Sequence, residues 1–65
     1  MKYYVYRISK ATGRKEYKIN KTLDNWAGEA LKPKCWQFSK QGAAGIVKFN
    51  TERSGWHYEY GFEEV

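Results

Sequence analysis

Apolar and polar side chains alternate most strictly near the C-terminal end of the chain. Trp56, Tyr58, Tyr60 and Phe62 fall on one side of an extended backbone, and His57, Glu59, Gly61 and Glu63 fall on the other. A period of two over this length predicts a half-buried antiparallel strand over residues 56–65. Residues 2–9, dense in Tyr, Val and Ile, predict a first strand. Residues 10–14 predict a hairpin turn, because Gly13 takes positive φ at no steric cost. Residues 15–20 then return as a second strand, with Tyr17 and Ile19 on one face and Lys18 on the other. Two registers compete. A four-residue loop places Tyr4, Tyr6 and Ile8 with Tyr17 and Ile19. A three-residue loop with a bulge places Tyr3, Val5 and Arg7 there instead, since one residue of slip exchanges the faces. The first register gathers more apolar surface and is preferred.

The middle of the chain is less regular. Residues 21–33 show no clean period. Trp26 and Leu31 are the expected anchors, residues 27–31 suit a short helical turn, and Pro33 is expected to end it. Residues 35–38 predict a third, short strand with Trp36 and Phe38 pointing the same way. Ser39 is a natural N-cap, its hydroxyl able to accept an amide of the first turn. Phe38 and Ala43 stand at hydrophobic-staple spacing around it. The helix is expected over residues 40–50, with Ala43, Ile46, Val47 and Asn50 forming one stripe. Gly42 and Gly45 each cost about 1 kcal/mol relative to Ala inside a helix. Close approach of the helix to a sheet or partner is the usual compensation; a Gly-x-x-Gly nucleotide clamp is the weaker reading. Residues 51–55 read as a polar loop. The order strand, strand, strand, helix, strand predicts an α+β fold with one helix on one face of an antiparallel sheet.

Length and composition sharpen this picture. The chain has 65 residues, which makes residues 1–65 one domain with a thin core. One cysteine cannot form an internal disulfide, and one Cys with one His cannot complete a four-ligand zinc cage. Stability must come from aromatic packing: three Trp, six Tyr and three Phe also argue against disorder. The apolar run after Met1-Lys2 is broken by Arg7, too short for a signal peptide, and no run approaches a membrane span. A free thiol fits a reducing cytoplasm.

Catalytic chemistry is not suggested. Cys35 and His57 are the only residues able to form a nucleophile and base pair, and nothing places them together. Cys35 beside Trp36 reads as a packed side chain. Glu63 and Glu64, as neighbours on a strand, face opposite ways. No phosphate loop, zinc-protease helix or nucleophile elbow is present. The expectation is a non-enzyme without cofactor or metal.

The charge is uneven. Nine cations stand against three carboxylates up to Lys34, and three against four beyond it, within a formal net charge of +5. Such asymmetry suits a polyanionic partner, although a lysine-rich face also simply keeps a small aromatic protein soluble. Twelve rings exceed what a thin core uses, and the second sheet face is expected to stay open. Surplus rings among cations suit either nucleic acid, with bases stacked and phosphates held, or a protein interface. They also suit simple filling of both sheet faces under lysine stems. For a nucleic acid, the candidate residues are Tyr3, Tyr6, Arg7, Arg14, Lys15 and Lys18, with Lys40 at the helix start. For a protein, the expectation is one tight partner, or a homodimer through the open face or a strand edge.

The Tyr-rich hairpin, the segment Trp36-Gln37-Phe38-Ser39-Lys40-Gln41-Gly42-Ala43-Ala44 and the aromatic-acidic last strand resemble small accessory proteins of bacteriophages and prophages. The resemblance spans most of the chain through short motifs. It implies a binding role directed at a host protein, a nucleoprotein complex or nucleic acid, including inhibitors of host defence such as anti-CRISPR proteins, and no catalytic residue. The net charge departs from the acidic DNA mimics among such inhibitors. The element order is also similar to small domains that place a three-stranded sheet in the DNA major groove.

Overall fold

The computed structural model describes residues 1–65. Its elements follow in the order β1 (Tyr3–Ser9), β2 (Lys15–Lys18), β3 (Trp26–Gly28), a 3-10 helix (Glu29–Lys34), α1 (Lys40–Ser54) and β4 (Tyr58–Glu64). The strands form one antiparallel sheet in the order β3-β2-β1-β4. This is the α+β architecture that the hydrophobic pattern predicts. No helix is long and apolar enough to cross a membrane.

The hairpin adopts the four-residue loop. The Ser9 amide donates to the Arg14 carbonyl at 2.9 Å, and the Gly13 amide donates to the Ser9 carbonyl at 2.7 Å. Gly13 sits at φ +75°, a conformation that a side chain at this position would strain. The loop sets Tyr6 opposite Tyr17 and Ile8 opposite Lys15. Tyr4, Tyr6 and Tyr17 therefore share one face, and Tyr3, Val5, Arg7 and Lys18 share the other.

The third strand is Trp26–Gly28 and not residues 35–38. Residues 19–25 turn tightly enough to return the chain against β2, with the Ile19 amide donating to the Asn25 carbonyl. Trp26 then pairs with Lys18 and Ala27 with Tyr17. β2 is only four residues long and leaves Tyr3 uncovered at the start of β1. Phe38 takes that place with a single bridge to Tyr3, so residues 35–38 contribute one pairing and no strand. The short helical turn is also longer than expected and passes through Pro33. The fixed φ of proline suits a 3-10 turn, and in six residues its missing amide removes one bond at most.

α1 starts at the predicted cap: the Ser39 hydroxyl accepts from the Gly42 amide at 3.1 Å. It continues four residues beyond the predicted end, to Ser54, because Thr51–Ser54 complete another turn that Gly55 closes by donating to the Thr51 carbonyl. Trp56 and His57 consequently fall in the turn before β4. The predicted stripe faces inward. Ala43 is fully buried, and Ile46 and Val47 pack with it against Val5, Phe38 and Phe62. Gly42 and Gly45, by contrast, lie on the exposed side, and a β-carbon at Gly45 would meet nothing within 4 Å. Gly45 answers no close approach within the chain, whereas a β-carbon at Gly42 would stand 3.2 Å from the capping Ser39 hydroxyl.

The second sheet face is not open. Tyr4, Tyr17 and Cys35 form a buried cluster there, under the segment of the 3-10 helix, with Tyr6 and Ile19 packed against it. The rings of Tyr4 and Tyr6 meet Tyr17 edge-on at 6.0 and 6.3 Å. A sheet covered by a helix on one side and a 3-10 turn on the other uses more rings than one covered on a single side. Nine of the twelve rings are buried or half-buried; only Trp36, Phe49 and Trp56 are exposed, at 46%, 57% and 80%.

Candidate nucleic-acid interface

The cations fall into two populations. The first is spent within the fold. Arg7 on β1 donates through Nε to Glu16 at 2.9 Å, with its guanidinium 4.6 Å from the Trp26 ring and 4.2 Å from the Tyr58 ring. Lys15 and Lys32 share the carboxylate of Glu63 at 2.9 and 2.5 Å, and the Tyr17 hydroxyl also donates to it. The Lys15 ammonium stands 4.4 Å from the Tyr6 ring. Burial alone would raise the Glu63 carboxyl, but the hydrogen bonds from Lys32 and Lys15 outweigh it and hold the group below its ordinary value. Both lysines are raised in turn, chiefly by their hydrogen bonds to Glu63. The Arg7–Glu16 and Lys15–Glu63 pairs each contribute about 0.2–1 kcal/mol in a partly exposed setting.

The other nine have no carboxylate partner within 4.0 Å; Arg14, Lys34, Lys40 and Lys48 stand exposed elsewhere, and Lys2, Lys10, Lys18, Lys21 and Arg53 line depressions beside α1. Between α1 and the connection from β2 to β3 lies a pocket of about 250 Å³ walled by Lys18, Lys21, Asp24, Phe49, Asn50 and Arg53. Lys21 also lines a second pocket of about 270 Å³ at the start of α1, with Lys2, Trp36 and Gly42. Arg53 also lines a third, shallow depression with Lys10 and Trp56. Shared residues thus join three depressions into one irregular groove. Its walls carry Lys2, Lys10, Lys18, Lys21 and Arg53 against Asp24 and Glu52, together with all three exposed rings. The Arg53 guanidinium stands 5.3 Å from the Phe49 ring.

Helix geometry explains the groove. Gly42, Ile46, Phe49 and Arg53 recur at intervals of three and four and so line one edge of α1, next to the buried stripe. The other wall is set by the loop before Trp26. There the Lys18 ammonium donates to the Leu23 carbonyl at 2.5 Å, and the Trp26 indole donates to Asp24 at 2.6 Å.

The residues singled out from sequence do not form one patch. Tyr6 and Lys15 lie on the face under the 3-10 turn. Tyr3, Arg7 and Lys18 lie on the helix-side face, where Tyr3 packs edge-on to Phe62 at 5.5 Å. Arg14 is exposed at the hairpin and Lys40 at the start of α1. Of the seven, Lys18 alone lines the groove. Arg53 was missed because the helix was expected to end at Asn50, and Phe49 because only the apolar stripe of that helix was considered. Phe49 nevertheless carried a signal: it is a large ring outside the apolar stripe. Cys35 is buried, its thiol donates to the Leu31 carbonyl at 3.3 Å, and burial raises its pKa. The His57 ring stands tilted 5.8 Å from that of Trp56, and its backbone carbonyl accepts from the Lys10 amide, at the far end of β1 from Tyr3 and Phe38. No group of three or more His, Cys, Asp and Glu side chains is placed to hold a metal ion.

Comparison with family models, curated proteins and solved structures finds no match to this chain.

Proposed function

We propose that the protein is a non-catalytic binding module that holds nucleic acid in the groove beside α1. One observation carries the reading: all three rings left outside the core occur there together with five of the nine cations that lack carboxylate partners. Cations hold phosphates, and rings accept bases by stacking, a combination that binds without reading sequence. The resemblance to small phage accessory proteins supports a role directed at nucleic acid or a host nucleoprotein complex. The interface moves from the sheet, where Arg7 and Lys15 are paired, to the helix side. The test is salt. Binding of a single-stranded oligonucleotide through several phosphates weakens about tenfold or more between about 50 and 200 mM salt. A flat response, or no binding at low salt, contradicts the reading.

A specific observation favours a second reading, an inhibitor that occludes a host protein. The bonds from Lys10 to His57 and from Val65 to Lys2 fix which β4 residues bond to β1. Alternation then turns the backbone groups of Tyr58, Tyr60, Phe62 and Glu64 to the outer edge of β4, where no strand pairs. Such an edge accepts an added strand from a partner or a second copy. Sizing of the purified protein, followed by capture from host lysate, tests it; a monomer that captures nothing opposes it.

A further inference from the structure

We propose that the pocket between α1 and the β2–β3 connection seats one phosphate group of an unpaired nucleotide, held by Lys18, Lys21 and Arg53, with the base stacked on Phe49. This rests on the reading of the groove as a nucleic-acid interface, and it assigns the ligand class and the residue that anchors it.

The argument begins with Lys18. It is 6% exposed, the one charged residue buried in the fold. Buried ammonium groups are costly unless paired with an anion. Lys18 belongs to none of the ion pairs; its contacts are the Leu23 carbonyl at 2.5 Å and the face of Trp26 at 5.6 Å. Burial lowers its pKa, and Asp24 opposes the shift only through space. Asp24 instead accepts the Trp26 indole. A buried cation beside a solvent-reached pocket, with Lys21 on the same wall and Arg53 on the facing one, is arranged for an anion that enters from outside. A phosphate group has the charge and the acceptor oxygens to meet all three.

The rim distinguishes an unpaired nucleotide from a duplex. Phe49 is 57% exposed, and Arg53 stands beside its ring, so a phosphate contact and a stacking surface adjoin. A base lies on a ring only after leaving its own stack, which single strands permit and a duplex resists. A duplex would use the cations and leave the ring idle.

The experiment titrates the intact protein with an eight-residue oligothymidylate, a duplex of the same length and inorganic phosphate. It compares the natural chain with Lys18→Met and Phe49→Ala. The expected result is at least about tenfold preference for the single strand. Lys18→Met should weaken it about tenfold or more and lower the salt slope by about one. Its melting temperature should stay the same or rise, because an unpaired buried charge is removed. Phe49 is exposed, so Phe49→Ala leaves the fold intact and should cost about fivefold to a hundredfold in binding. Lys18→Met binding with natural affinity and slope overturns the seat while the groove reading stands. Equal affinity for the duplex overturns the unpaired nucleotide. Stabilisation by inorganic phosphate with no tighter binding of oligothymidylate assigns the seat to free phosphate and overturns the nucleotide. No binding of either nucleic acid overturns the groove reading itself.

Discussion

The Tyr6 ring lies across Gly61 on the neighbouring strand: a β-carbon at position 61 would stand 2.5 Å from Tyr6 Cζ. The glycine lets the ring lie flat on the sheet, where it meets the Lys15 ammonium at 4.4 Å and the edge of Tyr17. Gly61→Ala forces Tyr6 to swing away from both. The expected loss is about 1–3 kcal/mol, as for other overpacked sites. Urea unfolding measures it through the midpoint, and a midpoint unchanged from the natural chain contradicts the packing.

Gly45 is the opposite case. Nothing stands within 4 Å of a β-carbon there, and the residue sits mid-helix. Gly45→Ala should stabilise by up to about 1 kcal/mol. In a domain of this size, that raises the melting temperature by about 4–8 °C. A fall would reveal a role for the glycine that the fold does not show.

The cluster of Glu63 with Lys15 and Lys32 makes stability pH-dependent in a defined direction. The Glu63 pKa is depressed from 4.5, so its contribution is present above that value and fades as pH falls through the lower folded value. Lys15 and Lys32 are raised from 10.5, so their contribution is present below that value and fades only as pH rises beyond it, through the raised folded values. Glu63→Gln should flatten the acid limb below about pH 4.5 and lower stability near neutrality by about 0.2–1 kcal/mol for the lost Lys15 pair. An acid limb identical to that of the natural chain would show that the pairing is not felt in solution.

Cys35 should behave as a packing residue. It is 5% exposed, its thiol donates to a backbone carbonyl, and burial raises its pKa. A chromogenic disulfide reagent at mildly alkaline pH should label it slowly in the folded protein and rapidly in denaturant. Rapid labelling of the folded chain contradicts its burial.

Much of the fold was legible in sequence because its signals are local. Gly13 and the alternation of Tyr4, Tyr6 and Ile8 with Tyr17 set the hairpin register. Ser39 marked the start of α1, and the alternation from Trp56 to Glu63 marked β4, which begins two residues later, at Tyr58. What stayed hidden depends on distant partners. Trp26–Gly28 is too short to show a period, and it becomes a strand only because β2 stands beside it. The cover over Tyr4 and Tyr17 could not be foreseen, since the 3-10 segment carries no apolar stripe. The site was displaced for a related reason: sequence counts cations but not their partners. Glu63 lies 48 residues beyond Lys15 in the chain, yet it pairs with it and removes it from the free set. Lys21 and Arg53 are ordinary surface cations until the loop and the helix end bring them to one pocket.

The most direct test of the central claim is an amide and indole chemical-shift map of the labelled protein during titration with single-stranded oligothymidylate at low salt. The account predicts that shifts concentrate at Lys18, Lys21, Phe49 and Arg53 and at the Trp36 indole, and that added salt reverses them. Shifts confined to Tyr6, Arg14 and Lys15 on the hairpin, or no shifts at all, would contradict it.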